Sequence, residues 1–387
     1  MQNQHSADVI VLGAGTMGSA TAWALARRGV DVLAIEQFSH YNHMSSHGGH
    51  TRIFRHCYFE GEKYVPWTLE ADRLYSELQD RTGLELQLRV GSIDIGTPEN
   101  QHARKSEATA LAYNLPHQMM TAKEVNDRFP AWNLPNDFEA CFDPDGGVLL
   151  VENVFKAFRT EITANDGRIL EDTRVLGWSA TDTGVEVQTN NGTYTAKHLV
   201  VTAGPWAGKM LEGLNLPLTV TRKPVMWFEV DDMQLYRPEQ FPPFVVDCDI
   251  EHFSGLPAVG ADSLKLGIHA DMNVCDADTI ARDVTPEDMV PPFVEFVQTL
   301  LNGAHPRTMR TGMCMYTMTP DEDFIIDRHP QHANVTLAAG FSGHGFKFAT
   351  VVGEHLADLT MDEHASGMDA FAISRFDKTG SVIGNIR

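Results

Sequence analysis

Residues 8–36, DVIVLGAGTMGSATAWALARRGVDVLAIE, follow the order strand, glycine turn, helix, strand, and this order decides the fold. The first segment, residues 9–12, is short, apolar and rich in β-branched side chains, which is typical of a buried parallel strand. A helix is predicted over residues 19–28, ending at Gly29, and a second strand over residues 32–35. The stretch therefore predicts a βαβ unit.

Three glycines in GxGxxG spacing form the turn of this unit. Gly13 permits the tight turn, Gly15 lets the backbone approach a pyrophosphate, and Gly18 lets the helix pack closely on the strand. The free N–H groups at the start of the helix favour the negative charge of phosphates. Glu36 follows the second strand, where it can accept hydrogen bonds from ribose hydroxyls and disfavours a 2′-phosphate. The pattern predicts a dinucleotide site for NAD or FAD.

The composition excludes several classes of partner. The 387 residues carry a formal net charge of −22, which repels nucleic acid and anionic membrane surfaces. No apolar run approaches the ~20 residues that a membrane helix needs, and the first residues lack the basic-then-apolar pattern of a signal peptide. The five cysteines are scattered without a CxxC pair, which favours a reducing compartment. We therefore expect a cytoplasmic protein without nucleic-acid or membrane partners.

A loop rich in His, Ser and Gly follows the βαβ unit, over residues 37–55. It contains Arg52 and Arg55. In a strongly acidic protein these two arginines favour anion binding, to a phosphate, a flavin or a substrate carboxylate, and simple surface solvation is the alternative. The histidines of this region match no known ligand spacing, so no metal site is predicted.

A second strand–glycine-turn–helix pattern occupies residues 335–359. Its turn, residues 340–347, ends in Lys347. A lysine beside a helix N-terminus stabilises the negative charge that develops on a reduced isoalloxazine, whereas a nicotinamide becomes neutral on reduction. This pattern favours FAD over NAD.

The order of the segments predicts an α/β (α+β) protein with two domains. The strand over residues 199–202 indicates that the nucleotide fold resumes late in the sequence. We expect a Rossmann-like FAD-binding domain that is discontinuous, over residues 1–85, 145–217 and 319–387. A substrate domain, over residues 86–144 and 218–318, is expected to contain a mixed or antiparallel sheet.

Five stretches of the sequence carry a family resemblance. They are VIVLGAGTMGSA (9–20), HTRIFRH with EGEKYVP (50–66), SLKLGIH (263–269), CMYTMTPDEDFIID (314–327) and GFSGHGFKF (340–348). Together they resemble the monomeric sarcosine oxidase and N-methyltryptophan oxidase family, within the D-amino-acid-oxidase-like FAD-dependent oxidoreductases. The resemblance spans nearly the whole chain and implies a monomer.

The resemblance also implies a role for several side chains. Cys314 matches a cysteine that tethers the flavin through a thioether, and Lys265 matches a lysine that assists the reduction of O2. The alternative from the residues alone is a buried thiol for Cys314 and an outward lysine on an alternating strand for Lys265. Arg55 and Lys347 match the pair that holds the substrate carboxylate.

The complete set of candidate residues combines the motifs and the resemblance. The catalytic candidates are Lys265, His269, Arg55, Lys347 and Tyr316. The candidates for cofactor binding are Gly13, Ala14, Gly15, Thr16, Met17, Gly18, Glu36, Gln37, Ser46, Thr51, Arg52, Val175, Gly204, Cys314, Gly343, His344, Gly345, Phe346 and Lys347.

Three positions depart from the family pattern. Gly48 stands where sarcosine oxidase has a histidine, Ser254 where the family commonly has a tyrosine, and Val245 where sarcosine oxidase has a methionine. Each change removes volume or a polar group, so we expect a roomier pocket than sarcosine needs. The resemblance then implies oxidation of an N-methyl or cyclic secondary α-amino acid by O2, giving an imine that hydrolyses, and H2O2.

Alternative functions remain open from the sequence. One is oxidation of another amine, such as pipecolate, a sugar amine or a D-amino acid. Another is a flavin dehydrogenase that passes electrons to a carrier protein instead of O2. An NAD-dependent reductase and a non-catalytic nucleotide-binding subunit are the alternatives from other classes.

Overall fold

The computed structural model describes residues 5–269, 273–289, 291–362, 364–365, 367–377 and 379–383. Its strands are β1 (Ser6–Leu12), β2 (Val32–Ile35), β3 (Thr51–Phe54), β4 (Gln87–Leu88), β5 (Ser92–Gly96), β6 (Gln118–Thr121), β7 (Glu139–Asp143), β8 (Gly147–Leu150), β9 (Arg168–Leu170), β10 (Val175–Thr181), β11 (Gly184–Thr189), β12 (Gly192–Val201), β13 (Thr219–Val230), β14 (Phe244–Asp247), β15 (His252–Leu256), β16 (Leu264–Ile268), β17 (Ala304–Met318), β18 (Ile325–His329) and β19 (His332–Ala339). Its α-helices are α1 (Thr16–Ala26), α2 (Val65–Thr82), α3 (His102–Ala112), α4 (Ala122–Arg128), α5 (Val151–Ala164), α6 (Ala207–Met210), α7 (Pro291–Leu300) and α8 (Ala349–Met361).

The first sheet has a parallel centre in the order β9-β2-β1-β12-β19. Strands β10 and β11 extend it as an antiparallel meander on β12, and β18 pairs antiparallel with β19. Helices α1, α2, α5 and α8 contribute to the apolar core on one face of this sheet. The predicted βαβ unit and the Rossmann-like arrangement are therefore confirmed.

Helix α1 begins earlier than predicted, at Thr16 rather than at residue 19. Gly15 is its N-cap, so the last glycine of the motif lies inside the first turn of the helix. Nearly the whole helix is buried because it packs against α8 and α5 as well as the sheet. A Cβ on Gly353 of α8 would lie 2.5 Å from the carbonyl carbon of Ala20, so the two helices cross in close backbone contact.

The second sheet has the order β17-β13-β16-β15-β14-β5-β7-β6. All its pairs are antiparallel except β14 with β5, so the prediction of a mixed or antiparallel sheet is confirmed. One face is apolar and packs against Phe293 and Phe296 of α7. The exact limits of the two predicted domains stay a prediction.

A small third sheet, in the order β3-β8-β4, holds the predicted anion-binding segment. Strand β3 carries Thr51 and Arg52, and the oxygens of Thr51 accept hydrogen bonds from Lys265 of the second sheet. No helix in the described ranges has the length and apolarity required to cross a bilayer.

Candidate active site

The first cavity runs along the carboxyl ends of β1, β2 and β12, beside the N-terminus of α1. Its empty volume is about 1280 Å³, including the part open to solvent. The predicted cofactor-binding residues in its wall are Gly13, Gly15, Thr16, Met17, Glu36, Gln37, Ser46, Arg52, Val175, Gly204, Gly343, Gly345 and Phe346. Two further candidates, Ala14 and Gly18, are buried behind this wall.

The three motif glycines have different surroundings. Gly13 has φ +90°, and a Cβ there would lie 2.7 Å from the carbonyl oxygen of Thr202. A Cβ on Gly18 would lie 1.8 Å from the carbonyl oxygen of Gly13. Gly15 faces open space, since its Cβ would meet only His47 Nδ1, at 4.0 Å. Only glycine fits the first two positions, and the third leaves room for a pyrophosphate to approach the backbone.

Glu36 lies one residue beyond β2, in the wall of the first cavity. The backbone N–H of Phe38 donates to its Oε1 at 3.1 Å. Burial raises the pKa of Glu36 to about 7. A carboxyl group at this point can accept hydrogen bonds from a ribose, so the cavity has the glycine cradle and the acceptor that the adenosine diphosphate half of FAD requires.

A second cavity lies against the second sheet and adjoins the first. Four residues line both cavities: Arg52, Tyr316, Gly343 and Phe346. The other predicted site residues in the wall of the second cavity are Thr51, Arg55, Lys265, His269, Cys314, His344 and Lys347. The structure thus brings the cofactor candidates and the catalytic candidates to two adjoining spaces.

A row of small side chains forms the floor of the second cavity. Val245, Ser254, Gly267 and Val225 are paired in register across β14, β15, β16 and β13, and all four line the cavity. A Cβ on Gly267 would meet nothing closer than Ser254 Oγ, at 3.7 Å. The middle of the sheet is therefore open to a ligand.

Two of the three departures from the family pattern, Val245 and Ser254, belong to this row. Gly48 does not: it is absent from the described walls of both cavities, and a Cβ there would meet the carbonyl oxygen of His43 at 3.4 Å. The prediction that Gly48 enlarges the pocket is therefore wrong, because this residue packs against its own loop.

Cys314 lies two residues before Tyr316 on β17, so the two side chains share a face of the strand. Its Sγ is 3.1 Å from the carbonyl oxygen of Ser46 and 3.8 Å from Nη2 of Arg52. The thiol is thus placed in a cavity wall, close to the junction of the two spaces, with polar neighbours.

Lys265 is buried, and its Nζ donates to three oxygens. These are the carbonyl oxygen of Gly49 at 2.8 Å, the carbonyl oxygen of Thr51 at 2.8 Å and the Thr51 hydroxyl at 2.7 Å. Burial, together with the charge of Arg52, lowers the pKa of Lys265 well below its ordinary value. The side chain points inward, so the alternative of an outward lysine is wrong.

Arg55 is buried and already paired with two carboxylates. Its Nη1 lies 2.9 Å from Asp94, and its Nη2 lies 2.6 Å from Glu60. Burial raises the pKa of Asp94 to about 6. Burial acts in the same direction on Glu60, but the charge of Arg55 outweighs it, and the pKa of Glu60 is lowered. Within the described residues, Nε of Arg55 is buried and has no hydrogen-bond partner. Surface solvation of Arg55 is therefore excluded.

Lys347 belongs to a buried hydrogen-bond chain. Its Nζ donates to the Tyr58 hydroxyl at 3.1 Å and to the carbonyl oxygen of His344 at 3.0 Å. The Tyr58 hydroxyl lies 2.7 Å from Nδ1 of His344, whose Nε2 lies 3.1 Å from the carbonyl oxygen of Glu322. Burial and the charge of Arg55 lower the pKa of Lys347 to about 7, and burial lowers the pKa of His344 to about 4. Neutral His344 therefore donates from Nε2 and accepts at Nδ1.

His269 and Tyr316 also line the second cavity. Their rings are 5.3 Å apart, and the Tyr316 hydroxyl lies 3.4 Å from Nδ1 of His269. Burial lowers the pKa of His269 well below its ordinary value, so the ring is neutral.

Sequence reasoning missed three side chains that complete the site: Glu60, Asp94 and Tyr58. Asp94 stands in an apolar strand between two isoleucines, and a carboxylate at such a position is a signal of buried pairing. Glu60 opens the EGEKYVP stretch that carries the family resemblance. No local pattern marks Tyr58.

Comparisons with known proteins agree with this geometry. A model of the family "DAO: FAD dependent oxidoreductase" matches residues 8–359. The chain is 38% identical over 375 residues to a monomeric sarcosine oxidase of Bacillus sp. (strain NS-129), covering 95% of this chain and 96% of that one. It is 35% identical over 373 residues to an N-methyl-L-tryptophan oxidase of Yersinia pestis (strain Pestoides F), covering 95% of this chain and 99% of that one.

Solved structures show the same fold. NikD, an unusual amino acid oxidase essential for nikkomycin biosynthesis, superposes with a TM-score of 0.84 at 23% identity over 95% of this chain and 98% of that one. A glycine oxidase from Geobacillus kaustophilus superposes with a TM-score of 0.79 at 21% identity over 97% and 100%. The family match and the identity to curated relatives extend along nearly the whole chain, and this protein therefore belongs to the FAD-dependent oxidoreductases.

Proposed function

We propose that this protein oxidises a secondary α-amino acid, N-methylated or cyclic, with FAD as cofactor and O2 as electron acceptor. The curated relatives support FAD-dependent oxidation of amino acids. The observation that carries the finer proposal is the position of Arg55, Lys265 and Lys347 around one cavity that adjoins the cofactor cleft.

Arg55 and Lys347 bind the substrate carboxylate in this proposal. Nε of Arg55 is a buried donor without a partner among the described residues, and Lys347 donates to neutral oxygens only. A carboxylate would satisfy the first and hold the second in its charged form. Since cations surround the cavity, the substrate amine binds in its neutral form, and no side chain has to act as a strong base.

Bound FAD would supply the two-electron acceptor that converts the amine to an imine. For an N-methyl substrate, water would hydrolyse this imine to an aldehyde and the primary amino acid. His269 and Tyr316 orient the substrate between the carboxylate site and the cleft. Ser254 and Val245 leave space for a side chain larger than that of sarcosine.

Lys265 assists the return of electrons to O2 in this proposal. Reduction of O2 to H2O2 passes through negative charge on oxygen, and a fixed cation in a water-poor site stabilises that charge more than an exposed one. The pKa of Lys265 is lowered by burial, and an anion beside Nζ favours the protonated form.

We also propose that Cys314 Sγ anchors FAD through a thioether and that the enzyme acts as a monomer. The thiol lies in the cavity wall near the point where the two spaces join, 3.8 Å from Nη2 of Arg52. Acid precipitation of the purified protein tests the anchor. Yellow colour should remain with the wild-type polypeptide and be released from Cys314→Ser. Release from both proteins would contradict the anchor but not the activity.

A peroxide assay with sarcosine, N-methyltryptophan and pipecolate tests the activity. We expect H2O2 from at least one of them, and anaerobic bleaching of the flavin by the same compound. A flavin that these compounds bleach but O2 restores only slowly would assign a dehydrogenase with a protein carrier. A flavin that no amino acid bleaches would overturn the proposal.

A further inference from the structure

Three side chains with metal-binding atoms converge at one end of the second sheet, outside the catalytic set. His102 begins α3, Asp247 ends β14 and His252 begins β15. Each offers one ligand atom, and these three atoms all lie within 4.8 Å of one another. Asp247 and His252 are a directly paired couple of the β14–β15 hairpin, so their side chains share a face.

The backbone holds this cluster in place. The side-chain amide of Asn100 donates to the carbonyl oxygen of Asp247 at 2.6 Å, and its Oδ1 accepts from the backbone N–H of His102 at 3.1 Å. One asparagine thus ties the start of α3 to the end of β14. The three side chains do not depend on a flexible loop to meet.

His102 has an unsatisfied atom. The residue is 3% exposed, and its Nε2 is buried without a hydrogen-bond partner in the described ranges. The nearest carboxylate oxygen, of Asp94, lies 4.0 Å away. A buried polar atom without a partner destabilises the fold, and an unpaired imidazole next to a second imidazole and a carboxylate is a feature that a bound ion explains.

We propose that His102, Asp247 and His252 bind a divalent transition metal ion of the Zn²⁺ type. Two imidazoles and one carboxylate suit Zn²⁺ and its neighbours, whereas Mg²⁺ and Ca²⁺ prefer oxygen ligands alone. The partly exposed carboxylate of Asp247 gives the ion a path from solvent. This site departs from the sequence expectation of no metal, because His102 lies far along the chain from the hairpin that carries Asp247 and His252.

The ion would also contact the substrate cavity. His252 lines that cavity, and its ring lies 5.3 Å from that of His269. A bound ion fixes the ring of His252 in the cavity wall and leaves a coordination position for water. The proposal does not rest on the proposed function, since binding is measured without turnover.

Calorimetric titration of the chelator-treated, flavin-containing protein with Zn²⁺ tests the site. We expect one ion per chain, and a Kd raised at least about tenfold in His102→Phe and in Asp247→Asn. Two control variants each remove a different histidine that has a second possible metal ligand beside it. His305 pairs with Asp231 at 2.7 Å, without a third ligand among the residues that the structure describes. The rings of His332 and His329 are tilted against each other, with their centroids 4.7 Å apart. His305→Phe and His332→Phe should bind as the wild type does.

Spectroscopic measurements distinguish the loss of a metal ligand from poor folding of a variant. Cu²⁺ bound to the oxidised protein should give an electron paramagnetic resonance spectrum with coupling to two imidazole nitrogens, reduced to one in His102→Phe. Asp247→Asn, which keeps the shape of the side chain, should retain the wild-type circular dichroism. Unchanged stoichiometry and affinity in both ligand variants, or loss of binding in His332→Phe, would overturn the proposal.

Discussion

Lys265 and Lys347, the two lysines for which we propose roles in the reaction, differ in the groups that accept hydrogen bonds from them. Lys265 donates to three oxygens, one from Gly49 and two from Thr51 at the start of β3. Lys347 directs two donors at Tyr58 and His344, both uncharged in this chain. Neither lysine has a carboxylate among these partners, so the charge of each depends on the ligand that enters the cavity.

Replacing Lys265 with methionine should separate the two half-reactions. We expect the reoxidation of the reduced flavin by O2 to slow by about 10²–10³-fold, because a preorganised charge is lost, and flavin reduction by less than about tenfold. Stopped-flow absorbance measures both rates, with Lys156→Met, an exposed lysine of α5, as the control. Equal losses in the two rates would remove Lys265 from the oxygen reaction.

The pKa of Lys347, about 7, predicts how carboxylate binding responds to pH. Below that pH the ammonium attracts a carboxylate, and above it the neutral amine does not. For propionate, which has no amine and stays ionised, we expect the Kd to rise by up to about tenfold per unit above pH 7. Lys347→Met should bind more weakly with a flat profile, and Lys63→Met should keep the wild-type slope. A flat wild-type profile would contradict the assignment.

At the scale of elements, local segments were predictable and long-range pairs were not. The GxGxxG turn constrains neighbouring residues, so the βαβ unit follows from the sequence itself, while its helix starts three residues early because Gly15 serves as the cap. Arg55 and Asp94 are 39 positions apart, and they meet only because the folded chain brings β5, which carries Asp94, next to the residue that follows β3. Nothing local encodes that pairing, nor the way Gly48 turns away from the cavity.

The crossing of α1 and α8 gives a prediction about stability. Gly353→Ala should lower the free energy of unfolding by about 1–3 kcal/mol, because its Cβ would overlap the backbone of Ala20. Urea unfolding measures the change. Gly208→Ala is the matched control, since a Cβ in α6 meets nothing within 4 Å, and it should be neutral or slightly stabilising. An unchanged free energy of unfolding in Gly353→Ala would contradict the prediction and show that α1 and α8 move apart at little cost.

For the whole molecule, the dominant electrostatic property is the net charge of −22. A charge of this size repels itself in the folded chain, and salt screens the repulsion. We expect the melting temperature to rise by a few degrees, equivalent to about 1 kcal/mol, between about 0.02 M and about 0.5 M NaCl. Differential scanning calorimetry measures it. A fall over the same range would show that surface ion pairs outweigh the repulsion.

The floor of small side chains has a consequence for how substrate preference can change. At Val245, Ser254, Gly267 and Val225 the backbone is fixed by strand pairing, and at Gly267 a new side chain would find room. Folding makes little demand on which amino acid occupies such a position. A descendant of this enzyme could therefore acquire a different preferred amine through one or two exchanges there, and laboratory selection for new activity should enrich variants at Ser254 and Gly267 before any other strand position.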